Sequence, residues 1–177
     1  MAKPKTDAVA LLKADHRKVE DLFEQFEKST RSDQKARLAK EICTELTIHA
    51  SIEEEIFYPA CKGEVEDDKM DEAYVEHDGA KVLIAEIEAA EPTADFYDAK
   101  VKVLSELIKH HVKEEEAPSD GVFAQAKAAG VDLDELGQRL AARKEELKSQ
   151  IEAEGLPTLE TRSYTGHELK QGEPVEA

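Results

Sequence analysis

The chain has 177 residues and carries 24 Lys and Arg against 41 Asp and Glu, a formal net charge of −17. That balance argues against nucleic acid or an anionic membrane as a partner, because phosphate groups are repelled and no basic stripe offsets the repulsion. With 40% hydrophobic and 37% charged residues, eight Gly, six Pro and no Trp, the composition fits one helical domain of roughly 100–150 residues plus extensions.

Four amphipathic segments of helical period fill most of the sequence. The first runs from about Thr6, a plausible N-cap, to Ser29. The second runs from Ser32 to about Cys61 and ends before Gly63. The third spans roughly Asp67 to Ala90 and is followed by the break Glu91-Pro92-Thr93. The fourth covers about Ala94 to Glu116 and stops before Pro118 and Gly121. A fifth, more polar helix is expected from Leu133 to Glu154, capped by Asp132. After Gly155 the sequence has no period and little apolar content, so it reads as a loose tail.

Short connections between long consecutive helices favour antiparallel neighbours. The expected fold is therefore all-α: an up-down-up-down four-helix bundle over residues 1–118, a C-terminal helical extension over 119–154 and a disordered tail over 155–177. No apolar run approaches the roughly 18 residues of a membrane span, and the opening MAKPKTDAVALLKAD lacks the features of a signal peptide. A cytoplasmic address follows as the expectation. Cys43 and Cys61 fall on one predicted helix about 27 Å apart, too far to bridge, and are expected to be free thiols.

The core stripe of each helix, read at spacings of three and four, exposes the chemistry. Helix one gives Leu12, His16, Val19, Phe23 and Phe26; helix two gives Ile42, Leu46, His49, Glu53, Ile56 and Ala60. Helix three gives Ala73, His77, Ala80, Ile84 and Ile87; helix four gives Tyr97, Val101, Leu104, Ile108, His111 and Glu115. Each stripe is apolar except for a histidine, and two add a glutamate one turn on. Ionised carboxylates in an apolar interior cost several kcal/mol unless paired, so two glutamates and four histidines facing one interior need a common partner. A metal cation supplies it, since imidazole nitrogens and carboxylate oxygens meet in one coordination sphere. The spacing His49-x-x-x-Glu53 recurs as His111-x-x-x-Glu115 and stacks both side chains on one face. A lone helical histidine is usually a hydrogen-bonded core residue, and His167 in the tail is read that way. The EEE runs read as solvated faces, leaving Glu54, Glu55, Glu114 and Glu116 without a role. His110 competes with His111, but His111 leads back through Ile108, Leu104, Val101 and Tyr97 and is the better inward residue.

The segments DHRKVEDLF at His16, HASIEEEIFYPA at His49 and Glu53, EHDGAKVLI around His77 and HHVKEEE at His111 and Glu115 together resemble the hemerythrin-like proteins, or HHE cation-binding domains. The resemblance covers about Ala8 to Leu147. It implies two non-haem iron ions, oxo- or hydroxo-bridged, inside a four-helix bundle. Glu53 and Glu115 would bridge them, His16 and His49 would be terminal ligands of one iron, and His77 and His111 of the other. It also implies binding of, or reaction with, oxygen, nitric oxide or peroxide.

Oxygen carriers of that family usually have a further histidine four residues before the one matching His77, where this chain has Ala73. Six protein ligands then remain where a carrier has seven, which favours redox chemistry over reversible carriage. Tyr74 and Glu20 are the candidate replacements. A peroxidase or oxidase is the alternative, as is an iron-responsive interaction module, although the Glu-x-x-His spacing of ferritin-like di-iron enzymes is absent around the four histidines. A closed structural zinc site needs four ligands, fewer than the six offered here. No motif identifies a protein partner.

Overall fold

The computed structural model describes residues 7–173. The helices are α1 (Ala8–Lys28), α2 (Ser32–Ile52), α3 (Tyr58–Cys61), α4 (Asp67–Glu88), α5 (Tyr97–Glu115), α6 (Val122–Ala128) and α7 (Leu133–Glu154). The Asp7 carboxylate accepts the Ala10 backbone N–H at 2.8 Å and so caps α1. Thr6, the expected cap, lies outside the described residues. Asp132 caps α7 as expected, accepting from the Glu135 N–H at 2.9 Å. No helix among the described residues is long and apolar enough to cross a membrane.

α1 packs against α2 and α5, and α4 packs against the same two, which closes a ring in the order α1, α2, α4, α5. The inward residues expected for α1, α4 and α5 are all buried. α2 departs from expectation beyond Glu53. A single π turn, Glu53–Phe57, joins it to α3, and the Tyr58 N–H bonds the Glu53 carbonyl five residues back. One extra residue in a turn rotates the helix beyond it by roughly 100°. Phe57, Tyr58 and Cys61 therefore face the interior, while the expected Ile56 and Ala60 are only half-buried.

The core falls into two apolar clusters. One joins Val19, Phe23, Phe26, Leu46, Ile84, Val101 and Leu104 at one end of the bundle. The other joins Leu12, Ile52, Phe57, Tyr58 and Ala73 to Phe123 of α6 and Leu136, Leu140 and Leu147 of α7. The extension thus shares a core with the bundle. Helix α6, which the periodicity did not reveal, comes after a sharp return of the chain at Gly121. A Cβ on that residue would lie 2.5 Å from the Glu115 carbonyl oxygen and 2.6 Å from the backbone of Ala117, so only glycine fits.

The segment after α7, expected to be loose, has no regular secondary structure, yet its first half lies on the bundle. Leu156 and Leu159 pack against the first apolar cluster, and the backbone at Arg162 and Ser163 is hydrogen-bonded to Asp78.

Leu140 is 0% exposed. Leu140→Ala is expected to destabilise the whole domain by about 2–5 kcal/mol in a single urea transition. A transition confined to α7, leaving the bundle's midpoint unmoved, would contradict the shared core.

Candidate metal centre

Between the two apolar clusters lies a layer of polar side chains that holds all six residues singled out from the sequence. Glu53 is 0% exposed and Glu115 1%. His16, His49, His77 and His111 are buried with them. The histidines meet in pairs: His16 Nε2 lies 3.1 Å from His49 Nε2, and His77 Nε2 lies 3.2 Å from His111 Nε2. Glu53 Oε2 stands 3.2 Å from His49 Nε2 and 3.3 Å from His77 Nε2. Glu115 Oε2 stands 3.4 Å from His16 Nε2 and 3.5 Å from His111 Nε2. Each carboxylate therefore faces one histidine of each pair.

These spacings fit cations better than they fit hydrogen bonds. Two donors at right angles, each about 2.1 Å from one cation, are about 3.0 Å apart, close to both nitrogen–nitrogen distances. A neutral imidazole has one N–H to share, and Glu53 Oε1 and Glu115 Oε2, although buried, have no hydrogen-bond partner among the described residues. Burial opposes charge on His49, but Glu53 and Asp15 outweigh it and push the imidazole up to about 10. Burial likewise opposes charge on His77, which Glu53 and Glu54 push up to about 9. Burial raises the Glu53 carboxyl, yet the flanking His49 and His77 hold it well below the usual range. The field of this layer favours positive charge. His16, His49, Glu53 and Glu115 offer converging ligand atoms for one ion, and Glu53, His77 and His111 for a second.

The outward nitrogen of every histidine meets a further carboxylate. His16 Nδ1 lies 2.7 Å from Glu116 Oε1, His77 Nδ1 3.1 Å from Glu54 Oε1 and His111 Nδ1 2.7 Å from Glu76 Oε2, while Asp15 Oδ2 stands 3.6 Å from His49 Nδ1. Asp15, Glu54, Glu76 and Glu116 are chain neighbours of His16, Glu53, His77 and Glu115. A neighbour sits 100° round the helix, so each of these acids reaches sideways to the histidine of the next helix in the ring. Such partners fix the tautomer and aim the inner nitrogen. The carboxylates are matched in turn: Lys144 pairs with Asp15, Lys81 and Arg162 with Glu54, His110 with Glu76, and Arg17 with Glu116. Glu54 and Glu116 are thus not the solvated residues expected from the EEE runs. An acid beside one inward polar residue on each helix of the ring, at His16, Glu53, His77 and Glu115, was the available signal.

Of the two residues considered as substitutes at Ala73, neither enters the layer. Glu20 is part-exposed and pairs with Arg17 at 3.3 Å. Tyr74 packs edge-on against Tyr58, ring centres 5.3 Å apart. The hydroxyl that does enter belongs to Tyr58, which donates to Glu115 Oε1 at 2.8 Å and lies 3.3 Å from both Glu53 Oε2 and His77 Nε2. Burial and the two glutamates hold its phenol well above the ordinary range. His110 is 55% exposed on its side chain and outside the layer, as the helix register predicted. Phe123 closes the layer from below, stacked on His16 at 5.9 Å. Above it is a cavity of about 40 Å³, walled by the four histidines and by Val19, Leu46, Ala80, Ile84, Ile108 and Val112. Water occupies about 30 Å³ in the liquid, so the space suits a molecule of two or three heavy atoms.

Comparison with known proteins agrees with this geometry. A DNA nickase of Nostoc sp. (strain PCC 7120 / SAG 25.82 / UTEX 2576) is 30% identical over 107 residues, which are 60% of this chain but 30% of that protein. The crystal structure of a hemerythrin HHE cation-binding domain-containing protein from Mycobacterium kansasii superposes with a TM-score of 0.70 at 22% identity, over 85% of this chain and 95% of that one. The profile of the hemerythrin HHE cation-binding domain matches residues 7–118. The converging acids and imidazoles are groups that could hold a metal ion, and the chain belongs to the hemerythrin HHE cation-binding domain family.

Proposed function

We propose that the layer holds two non-haem iron ions and that the protein binds or reduces a small oxygen or nitrogen species there: dioxygen, nitric oxide or peroxide. The observation that supports this best is the placing of Glu53 Oε2 and Glu115 Oε2, each within 3.5 Å of one histidine from both pairs. Carboxylates so placed would be shared by the two ions. His16 and His49 would hold one ion and His77 and His111 the other, and the Tyr58 hydroxyl, which donates to Glu115, would stand on the His77 side, where the family's further histidine is absent at Ala73. An all nitrogen and oxygen set suits iron, with six protein ligands exceeding what a closed zinc site requires. When bound, the iron pair supplies electrons to a small oxidant.

The chain's own residues do the rest. Glu54, Glu76 and Glu116 hold the imidazoles of His77, His111 and His16 in orientation from behind, and Asp15 stands behind His49 at 3.6 Å. The apolar cavity admits a small uncharged molecule and excludes bulk water. Tyr58 keeps one proton within reach, at an oxygen that already donates to Glu115. DNA nicking, the activity named for the Nostoc protein, is not part of this reading, since a net charge of −17 repels phosphate.

Metal analysis of protein purified without chelators is expected to give about two irons per chain, as in carboxylate-bridged bundle centres. Retention of no transition metal under reducing, iron-replete conditions would end the reading. His111→Ala is expected to abolish most of the iron, whereas His110→Ala keeps it; the reverse ranking would overturn the register of α5. Tyr58→Phe preserves ring packing and removes only the hydroxyl. It is expected to weaken one of the two iron sites by about 10- to 100-fold, read by competition with a chelator.

A further inference from the structure

The stretch after α7 is fastened to the bundle along α4. Asp78, next to His77 and wholly buried, accepts through Oδ2 from the backbone N–H groups of Arg162 at 2.8 Å and Ser163 at 2.6 Å, and from Ser163 Oγ at 2.6 Å. Lys81 Nζ donates to the Glu160 carbonyl at 3.1 Å. Arg162 Nε donates to Glu54 Oε2 at 2.9 Å, on the carboxylate whose other oxygen faces His77. The Arg162 guanidinium lies over the Tyr74 ring. Tyr164 Oη rests against Gly79, 3.3 Å from where a Cβ would stand. Three donors converging on one buried carboxylate make a specific attachment, since the acid would be costly without them.

This stretch covers the cavity above the histidines. Leu159 is one of its walls. The half-exposed Ala50 and Ser51 of α2 and Lys81 of α4 also line it and mark its side toward solvent, between those two helices. Leu159 comes from a segment without helix or strand and beyond the family match at residue 118. Every other wall stands on a long helix. The one wall able to move without unpacking the bundle is therefore Leu159.

We propose that residues 156–163 form a strap that closes the cavity, with Leu159 as its plug and Asp78 as its latch, and that the strap must lift for a ligand to reach the centre. The identity of the entering molecule rests on the proposed iron reading; the covering of the cavity does not.

The test separates the two. In metal-free protein, Ala50→Cys places a thiol in the cavity wall, and its reaction with 5,5′-dithiobis(2-nitrobenzoate) is followed against the background of the parent chain with Cys43 and Cys61. Adding Leu159→Gly, or Asp78→Asn, is expected to speed that reaction by about tenfold, while Glu168→Gln, an exposed side chain beyond the strap, leaves it unchanged. Leu159→Gly alters an irregular, part-exposed segment and does not threaten the bundle. In the parent chain the amides of Arg162 and Ser163 are expected to be protected from hydrogen exchange, and Asp78→Asn to remove the protection. Labelling rates within twofold of one another, or unprotected amides in the parent chain, would overturn the strap. In iron-loaded ferrous protein, Leu159→Gly is expected to raise the association rate of nitric oxide by about fivefold in stopped flow. An unchanged rate alongside faster labelling would overturn its control of ligand entry. A chain that holds no iron defeats the proposed function, while the labelling and exchange results still decide the strap.

Discussion

Two glutamates with almost no contact with water, Glu53 and Glu115, set the terms for the rest of the molecule. Among the described residues neither is paired with Lys or Arg, and each leaves an oxygen without a hydrogen bond. Such groups persist in an apolar interior only where positive charge meets them. Four imidazoles surround them, and four more carboxylates stand behind the imidazoles, three of them met farther out by Lys or Arg and Glu76 by His110. Charge thus alternates in shells from the centre to the surface. The net charge of −17 spreads over the chain, but near the centre sign and position are tightly ordered.

This ordering also explains where the core is divided. A polar layer across a bundle interrupts the apolar contacts that run along the helices, so each half needs its own cluster. The half near the start of α1 and the end of α2 is completed by α6 and α7. Phe123 packs on both His16 and Phe57, so the extension forms the floor of the polar layer. The crowding at Gly121 fits the same picture, because the chain must return at once beneath Glu115 to deliver that phenylalanine.

Much of this was legible in the sequence. The spacing of three and four identified the inward residues of α1, α4 and α5, including His16, His77, His111 and Glu115, because those helices are regular throughout. It lost the register of α2 after Glu53, since a π turn leaves no mark on periodicity until the residues beyond it are seen to be buried. Tyr58 is not legible for that reason, whereas Tyr74, on a regular helix, stands out beside His77. The outer carboxylates were missed differently. Glu54 and Glu116 lie in acidic runs that look solvated, and only the ring order of the helices shows that a residue beside one ligand reaches the next helix. Helix α6 is too short to display a period, and the docking of Glu160 and Arg162 depends on groups about 80 to 110 residues away in sequence.

The buried thiols gain a different meaning from their surroundings. Burial, with Glu115 and Glu53 nearby, pushes Cys61 up to about 12, and burial also raises Cys43. Sulfur attacks oxidants as thiolate, and at neutral pH almost none is present in either side chain. The acids that gather positive charge at the centre therefore also keep the neighbouring Cys61 in its thiol form, so that the sulfur beside the polar layer is unreactive toward oxidants.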